Sequence, residues 1–150
     1  KWVKQSIHYW CPDTKEHKFL GQNVTVAILD TGISPHPDFK GRILSFRDFS
    51  STTGSSEKVL FSFSHFSPLI DNSGHGTHVA GILAGSGLLS SGTYAGIAPF
   101  CNLIIGKVLD QNGNGSIKNV INGIQWIRDI YTQFLSLIHI SEPTRPLYIS

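Results

Sequence analysis

A chain of 150 residues holds one ordinary domain with a single core, and not comfortably two. With 40% hydrophobic and 15% charged residues it reads as globular rather than disordered. A net charge of +2 without a basic cluster gives no footprint for nucleic acid or acidic lipid, and the apolar runs fall far short of the roughly 18–20 residues of a membrane span.

No basic-then-apolar leader opens the chain, and it contains no methionine, so Lys1 reads as the start of a fragment or a processed chain. Cys11 and Cys101 belong to no CxxC or Cys/His zinc pattern. Two buried thiols or one disulfide both fit, and the redox compartment stays open.

In chain order, residues 1–23 are mixed and polar, with Trp2, Trp10 and Phe19 as apolar anchors. The run Val24-Thr25-Val26-Ala27-Ile28-Leu29 is short, apolar and β-branched, which predicts a strand buried on both faces of a parallel sheet. It stops at Asp30-Thr31-Gly32. Residues 46–68 are rich in serine and phenylalanine without a period, and read as a long surface excursion with a short hairpin near 59–63. The small residues Gly76, Ala80, Gly81 and Ala84 predict a buried helix that another element approaches closely. Residues 102–109 form a second apolar run, hence a second strand. A polar turn at 110–115 follows, with Ser116 as N-cap and Ile117, Val120, Ile121, Ile124 and Ile127 at helical spacing. Strand, helix, strand, helix predicts an α/β fold with a doubly wound, mostly parallel sheet.

In an open α/β sheet, sites form at the carboxyl ends of strands. Asp30 stands at such an end, and His75 stands near the start of the small-residue helix. A carboxylate there can accept the Nδ1 proton of the imidazole, fix its tautomer and leave Nε2 free as a general base. Singly, a strand-ending Asp is a turn former and a lone His is structural. Their surroundings change the reading. Ala27-Ile28-Leu29-Asp30-Thr31-Gly32-Ile33, His36-Pro37-Asp38, Asp71-Asn72-Ser73-Gly74-His75-Gly76-Thr77-His78-Val79-Ala80-Gly81, Ala95-Gly96-Ile97-Ala98-Pro99 and Lys107-Val108-Leu109 together resemble the subtilisin family, over roughly residues 20–134.

The resemblance implies a three-layer αβα domain in which Asp30 is the triad acid and His75 the triad base, with His78 structural. It implies a serine-type endopeptidase acting on polypeptides, without a required cofactor and with no call for nucleic acid or membrane. The 45 residues from Asp30 to His75 exceed the shortest family spacing, and the excess lies in the 46–68 excursion. The family's serine-bearing G-T-S-x-A block has no counterpart here, since Gly-Thr occurs only in Gly76-Thr77-His78 and Gly92-Thr93-Tyr94. The chain is therefore expected to be an incomplete peptidase domain, inactive by itself, that ends before the nucleophile. A non-catalytic binding protein on the same scaffold is the alternative. The family's relatives are often secreted, which favours an extracellular setting; oligomeric state is not legible.

Three further patterns carry less. His75 and His78 are three apart, without the H-E-x-x-H spacing and glutamate of zinc peptidases. Asp110, Asn112, Asn114 and Gly115 match half of an EF-hand loop, but Ile121 stands where the bidentate glutamate belongs, so a polar turn is expected. Asp38 matches a position that ligates structural calcium in many subtilisins, yet the companion loop at 85–93 lacks the expected asparagine. Residues 135–150 depart from the family. Ser136-Leu137-Ile138-His139-Ile140-Ser141 alternates like a strand, but the stretch through Pro146 resembles translated sequencing-adapter DNA. Residues 1–134 are thus expected to be the native peptidase portion and 135–150 a non-native tail.

Overall fold

The structure, a computed structural model, describes Lys4, Ser6 and residues 20–50, 57–59 and 71–141, with the backbone alone at 57–59 and 134–141. Four strands, β1 (Thr25–Asp30), β2 (Ile43–Asp48), β3 (Glu57–Val59) and β4 (Asn102–Lys107), form one sheet in the order β1-β4-β2-β3. β1 and β2 run parallel to β4, and β3 is antiparallel to β2. Among the described residues two long α-helices, α1 (His75–Ala84) and α2 (Ile117–Ser141), flank the sheet, and Lys4 and Ser6 are also helical.

Alternation along the strands decides the layers. Ile28 of β1, Phe46 of β2 and Leu103 and Ile105 of β4 share a buried cluster with Ile33, Phe39, Cys101 and the α1 residues Ala80 and Ala84. Burying the larger of these side chains stabilises the fold by about 1.5–3 kcal/mol each relative to exposure. On the opposite face Leu29 and Gly106 meet Gly123 and Trp126 of α2, and Phe49 packs edge-on against Trp126 at 5.7 Å between centroids. Helices on both faces of a mostly parallel sheet make the expected three-layer αβα arrangement.

Several local expectations change. The 46–68 stretch is not all excursion: β2 begins before it and lies between β4 and β3, and β3 pairs with Ser45, Phe46 and Arg47. The hairpin thus forms through 57–59, while 60–70 lies outside the described residues. The Ser116 cap is present, its Oγ accepting from Asn119 N at 3.1 Å, and the helical spacing after it forms α2. Gly123 and Trp126 are buried, whereas Ile117, Ile121 and Ile124 are exposed. The backbone of 136–141 is helical, not extended. Cys101 is a buried free thiol; Cys11 lies outside the described residues.

Candidate active site

The parallel strands end in register, placing Asp30, Lys107 and Asp48 side by side at the carboxyl edge of the sheet. Asp48 closes its own turn, accepting from Ser50 N and Ser50 Oγ at 2.7 Å. Lys107 is buried and donates from Nζ to the carbonyl of Thr31 at 2.8 Å, fixing the first residue after β1. Asp30 remains to face α1.

Helix α1 begins at His75 because Gly74 takes a left-handed φ of 83° and cannot cap it with a side chain. Asp71 supplies the cap instead. Its Oδ1 accepts from Gly74 N and its Oδ2 from Thr77 N, both at 2.8 Å. These bonds satisfy amides that a helix start leaves without partners. Gly76 N, the next such donor, bonds to Thr31 Oγ1 at 2.9 Å. The start of α1 is thereby laid against the end of β1.

This brings together the two sequence-predicted site residues. His75 Nδ1 lies 2.8 Å from Asp30 Oδ1, which also accepts from Thr31 N at 2.7 Å. The Asp30 side chain is 13% exposed and that of His75 is 66% exposed, so the carboxylate is sheltered while much of the imidazole faces solvent. The hydrogen bond to Asp30 raises the His75 pKa above its usual value; the charge of Asp30 and the farther charge of Asp71 add to this, and slight desolvation opposes it. For Asp71, burial pushes the carboxyl up, but bonds from Thr77, Thr31 and Gly74 outweigh it and hold the pKa at about 2. Asp71, Thr31, Thr77 and Lys107 all fall in the quoted sequence blocks, yet none has a role there. The legible signal for Asp71 is an Asx residue just ahead of a helix start. Lys107 offers none, because its partner is a backbone carbonyl.

The metal-like patterns resolve differently. His78 is exposed on α1, and among the described residues no group of three or more His, Cys, Asp or Glu could hold a metal. In the 110–115 turn, Asp110 Oδ1 accepts from Asn112 N at 2.8 Å and Asn114 N at 2.9 Å, which is a self-contained Asx turn. Calcium requires converging oxygens. Around Asp38 the loop turns donors inward instead: Gly87 N bonds to Oδ2 at 3.0 Å, while Ser86 N and the Arg42 guanidinium bond to the carbonyl. One buried oxygen, Oδ1, has no partner.

Fold and site together define an α/β protein with an Asp–His pair at the carboxyl edge of a parallel sheet. Residues 21–137 match the Subtilase family model, and the chain belongs to that family. It is 47% identical over 106 residues to the serine protease AprX of Bacillus subtilis, covering 71% of this chain and 21% of that protein. It is 38% identical over 119 residues to the major intracellular serine protease of the same organism, covering 78% of this chain and 34% of the relative. The solved structure of Sphericase superimposes with a TM-score of 0.64 at 30% identity, over 76% of this chain and 34% of that one. The chain thus spans a fifth to a third of the length of these relatives.

Proposed function

We propose that this chain supplies the acid and the base of a serine endopeptidase, Asp30 and His75, for the hydrolysis of polypeptides. The observation that carries the reading is the 2.8 Å approach of His75 Nδ1 to a sheltered Asp30 carboxylate, with an otherwise exposed ring. Family membership and relatives named as serine proteases support it. No G-T-S-x-A block occurs in the sequence, and the nucleophile and oxyanion donors of this proposal are those of a longer enzyme.

In that enzyme a serine oxygen attacks the peptide carbonyl as its proton passes to His75 Nε2. Asp30 holds Nδ1–H, fixes the ring and stabilises the imidazolium. The imidazolium then protonates the leaving amine as the C–N bond breaks. Water, activated by the same imidazole, hydrolyses the acyl-enzyme.

The test is hydrolysis of a fluorogenic peptide by the protein with the downstream sequence of its gene in place. We expect phosphonate-sensitive activity that His75→Ala lowers by about 10⁶-fold, the loss already known for the subtilisin triad. Absence of activity in the folded protein, with the serine block substituted, would overturn the reading in favour of a non-catalytic binding protein.

A further inference from the structure

The Asp71 carboxylate is more heavily engaged than a helix cap requires. Besides Gly74 N and Thr77 N, it accepts from Thr31 Oγ1 at 2.8 Å and from Thr77 Oγ1. The direction of both hydroxyls is fixed by the ionised Asp71 carboxylate, which can only accept. Thr31 Oγ1 accepts from Gly76 N and gives its own proton to Asp71. Thr77 Oγ1 accepts from Ser34 N at 3.0 Å and gives its proton to Asp71 as well. Two relays, each an N–H to a hydroxyl to the carboxylate, converge on one charged group, and each polarises the next bond along. Both join the loop after β1 to the first turn of α1. Asp30 and His75 are the residues immediately flanking that junction.

We infer that Asp71 is the positioning residue of the acid–base pair, clamping the segment from Thr31 to Ser34 against the start of α1 so that the His75 ring stays on Asp30. The inference rests on the proposed reading of Asp30 and His75. Asp71 touches neither imidazole nor reacting atoms and acts through Thr31, Thr77 and the backbone. Its charge reinforces that of Asp30 in favouring the protonated ring, and persists at any pH well above about 2. Among the described residues the other charged or titratable groups at this junction are Lys107, bonded to the Thr31 carbonyl, and exposed His78 one turn along α1.

NMR on the chain reads the clamp without a nucleophile, with His75 signals assigned by their loss in His75→Gln. Two quantities are followed: the titration midpoint of His75, and the low-field resonance of its Nδ1 proton bonded to Asp30. Asp71→Asn removes the charge and is expected to move the midpoint down and to weaken or remove the low-field resonance. Thr31→Val keeps the charge but breaks the relay, and is expected to remove the resonance, whereas Thr31→Ser restores the hydroxyl and the signal. Folded Asp71→Asn and Thr31→Val proteins with the unsubstituted midpoint and resonance would reduce Asp71 to a helix cap and overturn the inference. If Asp71→Asn does not fold, the contrast between Thr31→Val and Thr31→Ser decides by the same signals. Asp30→Asn separates the two levels. Should it leave midpoint and resonance unchanged, the acid–base reading itself fails; should it abolish the resonance while Asp71→Asn is silent, only the positioning role fails.

Discussion

Gly76 is the second residue of α1, and a Cβ built there would lie 2.3 Å from the carbonyl oxygen of Gly32 and 3.2 Å from Asp30 Oδ1. The obstructing atom is backbone, which cannot swing aside as a flexible side chain does. An alanine here would lever the start of α1 off the end of β1 and take His75 with it. Gly81, five residues on, has nothing within 4 Å of where a Cβ would stand. There alanine meets no obstacle and restores helix propensity. We therefore expect Gly76→Ala to destabilise the fold by about 1–3 kcal/mol and Gly81→Ala to stabilise it by about 0.5–1 kcal/mol. Urea unfolding of the two variants checks this, and equal effects would mean that helix propensity, not close approach, governs α1. The contrast also shows what sequence can resolve. Both glycines stand out as unusual in a helix, but which one is contacted depends on the path of the 31–34 loop.

The far end of α1 is held from outside the helix. Its last carbonyls would lack intrahelical partners. Gly81 O keeps the helical bond from Gly85 N at 3.0 Å, whereas Ile82 O accepts from Ile97 N at 3.0 Å and Leu83 O from Ala98 N at 2.7 Å. Ala84 O is taken by Arg42 Nη2 at 2.6 Å, and Arg42 Nη1 reaches Cys101 O at 2.8 Å. With its bond to the Asp38 carbonyl, one guanidinium ties the segment before β2, the end of α1 and the approach to β4. A lysine ammonium has no planar fork to span these acceptors. Arg42→Lys is expected to lower stability by about 1–3 kcal/mol, read as a reduced denaturation midpoint; an unchanged midpoint would mean that the bridge contributes nothing. At this scale β1, α1, β4 and the Ser116 cap were legible, since each combines an apolar or small-residue pattern with a clear stop signal. β2 was not, because Ser45, Arg47 and Asp48 interrupt its apolar residues and only pairing with β4 and β3 makes it a strand. The inward face of α2 was not legible for a related reason. Its isoleucines do recur at helical spacing, but the sheet, through Leu29, selects the stripe that carries Gly123 and Trp126.

The stripe that α2 leaves outside has a consequence for the molecule as a whole. Ile117 is 80% exposed, Ile121 48% and Ile124 55%, and their spacing places them along one face of the helix. Among the described residues β1 also forms an edge of the sheet, bonded to β4 on one side only. An apolar helix face favours burial against another surface, and a strand edge offers unpaired backbone donors and acceptors. The chain covers only 21% and 34% of the two Bacillus subtilis relatives, so both features suit a body of protein packed beyond the described layers. Without that body, the surfaces most available to cover them are those of other copies. We expect the chain to self-associate with rising concentration in the micromolar range and to bind an apolar dye. Sedimentation velocity over a concentration series measures the first, and dye fluorescence the second. Ile121→Lys combined with Ile124→Glu should reduce both signals without lowering the unfolding midpoint, because neither side chain is in the core. A chain that stays monomeric and dark to the dye throughout would show that neither the apolar helix face nor the strand edge drives association. Association that persists in the double variant would instead assign the contact to the β1 edge.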